Sequence, residues 1–353
     1  MSVLDKLKKN STIKETIILS KSKFLNEKDM IPTPIPMLNV ALSGSLDGGF
    51  TPGVTVWAGP SRHFKTAFCL LTAKVYMDRY PEAVLMFYDN EFGSPKKYFE
   101  AFGIDMDRVL HIPFTNIEEL KFDVMNQLTK LERGDRVFFM VDSIGNVASK
   151  KEIDDAVDQK SSQDMTRSKM LKSLFRMITP HLTMKDIPMS LVAHTYKTME
   201  MFSKDVVSGG TGPMYAGDSV FIIGRQQEKD GQELLGYNFI INVEKSRFVK
   251  EKSKIPISVS HEHGIGKYSG LIELGIESGF VDNSSKGWYS KIDKETGEIL
   301  PKVRLADTFT AKFWDDILSN PEFKEFVKKK YQVAYKSIME GENEAEKDVD
   351  EGV

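Results

Sequence analysis

The chain has 353 residues, of which 41% are hydrophobic and 28% charged, a composition typical of a globular protein with a sizeable core. The formal net charge is −3, so charge alone does not indicate a nucleic-acid-binding protein. A single cysteine excludes a disulfide framework and suits a reducing cytoplasm. No signal peptide and no apolar run of membrane-spanning length is present, so we expect a cytoplasmic protein with no membrane partner.

The two ends of the chain differ from its body in composition. Residues 1–34 are rich in lysine and lead into alternating prolines, which predicts a stiff N-terminal arm that docks on a neighbouring subunit. A solvated helix is the simpler alternative. Residues 340–353 carry seven acids and one lysine, so this end contributes −6 and the rest of the chain +3. We expect a disordered acidic tail over 336–353, which serves either solubility or competition with DNA for a basic groove.

Between residues 54 and 75 the pattern is a buried strand, a short loop and a helix headed by Lys65 and Thr66. This is the layout of a P-loop, in which backbone N–H groups and a helix N-terminus bind phosphate. The lysine would contact the β- and γ-phosphates, and the threonine hydroxyl would coordinate Mg²⁺. An ordinary strand–turn–helix is the alternative. The other candidate nucleotide-binding residues of this loop are Gly59, Pro60, Ser61, Arg62, His63 and Phe64.

Phe64 departs from the P-loop pattern G-x-x-x-x-G-K-[ST], because it stands where the second glycine belongs. A phenylalanine has a steric cost wherever φ is positive. We therefore expect the loop to adopt a conformation that phenylalanine tolerates.

The core of the chain alternates between apolar runs and amphipathic stretches. The apolar runs predict strands at 84–88, 137–142, 189–193, 220–223 and 239–244. The amphipathic stretches predict helices at 115–133, begun by a capping box of Thr115 and Glu118, and at about 165–178. Apolar strands separated by helices predict an α/β fold with a mainly parallel sheet flanked by helices. Ligands of such sheets bind beyond the carboxyl ends of the strands.

Three polar side chains follow predicted strands at those carboxyl ends. Asp142 is placed to support Mg²⁺ through Thr66 or a water, or else caps the next loop. Glu91 could polarise a water for attack on a γ-phosphate, or be a solvated strand-end residue. His194 could sense the γ-phosphate by hydrogen bonding, although a lone histidine is more often structural.

Two segments predict contacts with DNA. Residues 195–217 are too rich in glycine for a regular element, which suits an irregular loop that binds single-stranded DNA, with a mobile lid as the alternative. A second irregular stretch, about 149–164, precedes a basic helix face that either binds phosphates or is a solvated surface. The candidate DNA-binding residues are Lys197, Phe202, Lys204, Gly209 and Gly210 in the first segment, and Arg167, Lys169, Lys172 and Arg176 on the helix.

Two cations, Lys245 and Arg247, come directly after the strand at 239–244. They could reach phosphates, including those in a neighbouring subunit's site, or protect an edge strand by charge. Gly264 to Gly266 mark a boundary, and the apolar residues beyond them predict a small separate core. The expected division is therefore an arm at 1–34, an ATPase core at 35–262, a C-terminal domain at 263–335 and the tail.

Taken together, these motifs resemble the RecA family of recombinases, in particular its branch from T-even-like phages, from about Phe24 to about Tyr331. The P-loop of that branch tolerates phenylalanine at the position of Phe64. The segment from Phe87 to Gly93 resembles the one that carries the family's catalytic glutamate, which implies that role for Glu91. Tyr98 matches the spacing of the tyrosine that lies against adenine.

The resemblance also implies roles for the segments outside the P-loop. Asp142 matches the end of the Walker B strand. Ser149 opens what resembles the first DNA loop, and His194 opens the second, with a switch role that bacterial members give to a glutamine. Lys245 and Arg247 align with the cations that reach the ATP of the adjacent protomer.

The implied function is a DNA-dependent ATPase that forms filaments on single-stranded DNA and catalyses homologous pairing and strand exchange. ATP and Mg²⁺ are the implied cofactors. Single- and double-stranded DNA, further copies of the chain, a recombination mediator and a single-strand-binding protein are the implied partners. A RecA-core helicase and a mediator that binds nucleotide without hydrolysing it remain as alternatives.

Overall fold

The structure is a computed structural model that describes residues 2–24, 29–159, 166–198, 204–294 and 296–333. Its centre is a nine-stranded sheet. The six strands of this sheet that come first in the sequence run parallel to one another, as the alternating pattern predicted. They are β1 (Gly53–Ala58), β2 (Val84–Asp89), β3 (Val109–Pro113), β4 (Val137–Asp142), β5 (Pro188–Ala193) and β8 (Ser219–Asp230).

Three antiparallel strands extend the sheet beyond β8: β9 (Glu233–Ser246), β10 (Lys254–Ser260) and β11 (Gly264–Ile265). The full order is β11-β10-β9-β8-β1-β5-β4-β2-β3, so β1 lies at the centre and β3 at one edge. Two short pairs stand apart from the sheet. They are β6 (Thr195–Lys197) with β7 (Asp205–Val207), and β12 (Val281–Asp282) with β13 (Ser290–Lys291).

Helices cover both faces of the sheet, so alternate side chains of β1 point into two different apolar clusters. Trp57 points into an apolar cluster with α3, whereas Val54 and Val56 point into one with α5 and α7. The expected α/β class with a mainly parallel sheet is confirmed. The helices are α1 (Val3–Asn10), α2 (Pro36–Ser43), α3 (Lys65–Arg79), α4 (Lys96–Ala101), α5 (Ile117–Lys130), α6 (Lys150–Val157), α7 (Thr166–Lys185), α8 (Thr211–Ala216), α9 (Leu271–Glu277), α10 (Ala311–Ser319) and α11 (Pro321–Tyr331).

Several local predictions need correction. The cap of α5 is Asn116, whose side chain accepts from the N–H of Glu119, so the predicted capping box of Thr115 and Glu118 is wrong. Thr115 instead donates its N–H to the Glu119 carboxylate at 2.7 Å. The Asn116 side chain reaches the N–H three residues on, which moves the helix start by one residue.

Both segments predicted as irregular contain regular structure. Residues 150–157 form α6, which begins with a capping box of Ser149 and Glu152. The segment after His194 forms the β6–β7 hairpin and then α8, for which Gly210 is the N-cap at φ 74°. Residues 160–165 and 199–203 lie outside the described residues, as does the predicted tail at 336–353.

The apolar residues of the C-terminal segment pack on one another, as Phe280 does edge-on to Phe323 at 5.5 Å. Their cluster is continuous with the one that contains α3 and part of the sheet, so this core is not separate from the main one. The antiparallel pairing of Val249 with Gln332 ties the end of α11 to the turn after β9. The proposed domain boundaries remain a prediction.

Candidate nucleotide site and DNA-facing segments

The loop between β1 and α3 has the form of a phosphate-binding loop. Its first residue, Gly59, donates its N–H to the carbonyl of Ala193 at 3.2 Å, which fixes the loop to the end of β5. Arg62 and Phe64 both have positive φ, 61° and 60°. Phe64 thus adopts the left-handed geometry that favours glycine, and the expected tolerance for phenylalanine has to come from its contacts.

Aromatic packing offsets the cost of this geometry. A left-handed residue with a Cβ costs about 1–2 kcal/mol. The Phe64 ring stacks on Phe239 at 5.0 Å and meets Phe68 edge-on at 5.5 Å. Each such pair contributes about 0.5–1.5 kcal/mol beyond the burial of apolar area, so two pairs balance the strain. Compared with a glycine at this position, Phe64 has a less favourable backbone conformation but gains aromatic contacts that connect the loop to α3 and β9.

Lys65 lies inside the loop. Its side chain is buried, and Nζ donates to the carbonyl of Pro60 at 2.7 Å. Burial lowers the pKa of Lys65, while the nearby carboxylates Glu91 and Asp142 act in the opposite direction. A buried ammonium within a ring of backbone groups is placed as the P-loop mechanism requires for contact with phosphate.

Thr66 and Asp142 meet beside this lysine. The threonine hydroxyl donates to Asp142 Oδ2 at 2.7 Å, while Oδ1 is buried with no hydrogen-bond partner among the described residues. Burial raises the pKa of Asp142 from its usual 3.8 to about 6. A buried carboxylate oxygen without a partner needs a cation or a water to complete it. These two side chains therefore fit Mg²⁺.

The described part of the chain offers no group of three His, Cys, Asp or Glu side chains suited to hold a metal ion. The Mg²⁺ that fits at Thr66 and Asp142 would take its remaining ligands from phosphate oxygens and water, as this ion usually does. The predicted metal-binding pair thus depends on the nucleotide.

Glu91 lies across the loop from Asp142 and is held by three groups. Its Oε1 is 2.9 Å from Nε2 of His194 and 3.4 Å from the amide of Asn146, and it accepts the hydroxyl of Ser143. The hydrogen bond from His194 is the main cause that lowers the pKa of Glu91, against the effect of burial. The carboxylate is therefore ionised at neutral pH and can accept a proton from water.

A cleft of about 530 Å³ joins these groups. One wall consists of Arg225, Tyr237 and His261, which come from β8, β9 and the turn after β10, and Tyr98 from α4 also lines the cleft. The Arg225 guanidinium stacks over Tyr237 at 4.7 Å and donates to the carbonyl of Arg62 at 3.2 Å. Our reading of the sequence missed this wall, since its residues come from the antiparallel strands. In the sequence, only the alternation of aromatic and polar residues in these strands could have indicated that they form a wall of the cleft.

Lys245 and Arg247 do not line this cleft. Nζ of Lys245 donates to the carbonyls of Met214 and Tyr215, at 2.9 and 3.1 Å, and Arg247 pairs with Asp218 at 2.7 Å. These contacts lie where β8 begins, and β8 is parallel to β1. In the register of the sheet, Lys245 is level with the middle of β1, two strands away from it and about 10 Å short of the P-loop along the strand direction. The geometry holds the two cations away from the chain's own P-loop.

The predicted DNA-binding residues fall on two surfaces. Lys197 and Lys204 are exposed on the β6–β7 hairpin, Gly209 and Gly210 follow it, and Phe202 lies outside the described residues. Lys169, Lys172 and Arg176 are exposed along one face of α7. Residues three or four positions apart lie on the same face of a helix, so these three side chains form a basic surface on α7, as predicted.

Arg167 differs from the other basic residues of α7. Its guanidinium donates to the carbonyls of Val147, Ile144 and Gly145, the first at 2.7 Å. It therefore holds the segment between β4 and α6 in place in this structure, and its predicted DNA contact is untested.

The parallel sheet, the lysine-headed helix after its central strand and the two strand-end carboxylates define a P-loop protein with a core of the RecA type. Comparison with known proteins identifies its family. Residues 268–327 match the family model described as "Bacteriophage T4, Recombination and repair protein, C-terminal domain".

A recombination and repair protein of Enterobacteria phage T4 is 49% identical over 93% of this chain and 85% of its own length. RecA proteins of Bacteroides thetaiotaomicron and Colwellia psychrerythraea are 23% and 26% identical, over 84% and 74% of this chain and 88% and 74% of their own lengths. The chain belongs to the family of the phage T4 recombination and repair protein, UvsX, and the resemblance to RecA-family recombinases is confirmed.

Across the described ranges, every helix is too short or too polar to cross a lipid bilayer.

Proposed function

We propose that the chain is a DNA-dependent ATPase that forms filaments on single-stranded DNA and catalyses homologous pairing and strand exchange. Its family indicates recombination and repair as the process. One observation carries the enzymatic part: His194, which opens the predicted second DNA loop, contacts Glu91 at 2.9 Å. The group proposed to activate water is thus bonded directly to the segment proposed to bind DNA.

Each side chain of the cleft has a proposed role. Lys65 and the backbone N–H groups of the loop bind the phosphates, and Thr66 with Asp142 holds Mg²⁺. The bound ion would neutralise charge on the phosphate oxygens. Glu91 accepts the proton of the attacking water. His194 orients Glu91, so a rearrangement of the loop on DNA changes the position of the base.

The base of the nucleotide is proposed to lie between Tyr98 and the wall of Tyr237 and His261. This is supported by the aromatic residues that line the cleft, since aromatic rings stack on nucleobases. The exposed cations of the β6–β7 hairpin and of α7 are proposed to contact the phosphates of single- and double-stranded DNA.

A second copy of the chain is proposed to complete the site with Lys245 and Arg247. Neither cation lines the chain's own cleft, which supports this role. A head-to-tail contact that does not close produces a helical filament. Residues 1–34 are proposed as the linking arm, and 35–262, 263–335 and 336–353 as core, C-terminal domain and tail. A mediator and a single-strand-binding protein assist loading in the host cytoplasm.

Replacement of Glu91 by glutamine tests the proposal. DNA-stimulated ATP hydrolysis is expected to fall by about 10²- to 10⁴-fold, the usual contribution of a general base. Nucleotide affinity, measured by titration without DNA, is expected to remain. Hydrolysis that is unchanged in the variant, or absent in the parent protein, would reject the catalytic assignment and favour a mediator that binds nucleotide only.

Electron micrographs with single-stranded DNA and ATP test the assembly. Open helical filaments are expected. Closed hexameric rings would instead indicate a helicase.

A further inference from the structure

The turn that carries Glu91 is held by one buried carboxylate. Asp89 is the last residue of β2 and is 4% exposed. Its Oδ1 accepts the backbone N–H groups of Glu91 and Phe92 at 3.1 and 2.9 Å. Hydrogen bonds to a charged acceptor are stronger than those between neutral groups. The backbone position of Glu91 relative to the sheet therefore depends on how the Asp89 carboxylate is oriented.

That orientation is set by a histidine of the next strand. Nε2 of His111 on β3 lies 3.2 Å from Asp89 Oδ2, the oxygen that the turn does not use. The imidazole is packed between two rings, stacked on Phe87 at 5.4 Å and edge-on to Phe92 at 6.4 Å. Phe87 is also its direct partner across the β2–β3 pairing. These two contacts orient the ring, although its side chain is 49% exposed, and its nitrogen contacts one end of the carboxylate.

The turn has a reason to need this support. Phe92 has φ 53° and its side chain is 65% exposed, so its left-handed backbone is not compensated by burial. Such a backbone conformation is strained and persists only while its surroundings hold it. With Oδ2 deprived of its donor, the Asp89 carboxylate can rotate towards solvent and release both N–H groups. A displacement of about 1 Å at a catalytic group is enough to lower a rate by about 10²-fold.

We propose that His111 is a positioning residue for Glu91, acting through Asp89 and the turn that Asp89 holds. The role rests on the proposed function, in which Glu91 activates water. His111 is not among the residues that line the cleft. Its effect belongs to the rate of hydrolysis and not to nucleotide binding.

Two substitutions of similar size separate the hydrogen bond from the packing. His111→Leu keeps an apolar side chain against Phe87 but has no donor, whereas His111→Gln keeps a terminal N–H group at a similar reach. We expect kcat of DNA-stimulated hydrolysis to fall about tenfold in the leucine variant, with KM for ATP unchanged. The glutamine variant is expected within about threefold of the parent. His263→Ala is the control, since that histidine is 79% exposed and far along the chain.

The same changes in a Glu91→Gln background complete the test. If His111 acts through Glu91, His111→Leu has no further effect there, because residues that act as a unit are not additive. A leucine variant with the parent's kcat would overturn the inference, as would equal losses in the leucine and glutamine variants accompanied by a lower Tm. Activity that survives Glu91→Gln would instead reject the proposed function, so the two failures are distinguishable.

Discussion

Replacement of Asp142 by asparagine is expected to stabilise the nucleotide-free protein at alkaline pH, although it removes a functional group. The carboxyl is 5% exposed, and burial raises its pKa from 3.8 to about 6. This shift corresponds to about 3 kcal/mol between the two protonation states. Since the folded protein disfavours the ionised form, the penalty is absent below pH 3.8 and grows as pH rises to 6.

Urea unfolding without nucleotide or Mg²⁺ measures this effect. At pH 8 the asparagine variant is expected to have the larger free energy of unfolding by up to about 3 kcal/mol, and at pH 4.5 by about 1 kcal/mol. Asp315→Asn is the matched control, because Asp315 is exposed. It should unfold as the parent does at both pH values.

Saturating Mg²⁺ and ATP are expected to reverse the order of stability at pH 8. A ligand that binds the folded state stabilises it according to its affinity, and the parent binds the ion better. The prediction is refuted if, without ligands, the variant is no more stable than the parent at pH 8, or if the difference in stability is the same at both pH values. The ionised Asp142 carboxylate would then not destabilise the ligand-free fold.

Three further predictions concern the loop, the DNA segment and the tail. In urea unfolding, Phe64→Ala should be about 1 kcal/mol less stable than Phe64→Gly, because alanine retains the strain at positive φ; equal stabilities would contradict this. By fluorescence anisotropy, Phe202→Ala should weaken single-strand binding by about 5- to 100-fold and Lys204→Ala should reduce its salt dependence, with DNA-free ATP affinity unchanged; equal loss of both activities would indicate a folding role. Truncation after Tyr335 should strengthen duplex binding at moderate salt in the same assay, whereas no change would make the tail a solubility device.

The sequence was sufficient for the parallel half of the sheet and for the catalytic edge. Strands such as 137–142 are apolar throughout, and only burial on both faces explains such a run. Their carboxyl ends meet at one edge, which is why Asp142, Glu91 and the P-loop could be placed together before any contact was known. A parallel arrangement of the strands is enough to predict that these residues lie close together.

Features that depend on contacts distant in the chain were not predictable. Phe64 tolerates positive φ because Phe239, 175 residues later, stacks on it. Glycine content suggested an irregular loop after His194, yet pairing of Thr195 with Val207 forms a hairpin. The C-terminal aromatic residues gave no signal that their cluster would be continuous with the main core. Neither the aromatic stack nor the joined core leaves a pattern within the short window in which sequence motifs are recognised.

The central claim is that one subunit's cleft is completed by the cations of the next, and mixing two inactive variants tests it most directly. Glu91→Gln subunits retain Lys245 and Arg247, whereas subunits with both cations changed to alanine retain Glu91. If the site is shared between neighbours, an equal mixture on single-stranded DNA should recover about a quarter of the parent's ATPase rate, the fraction of contacts that combine the two intact parts. A mixture as inactive as either variant alone, in filaments shown by microscopy to contain both, would contradict the account.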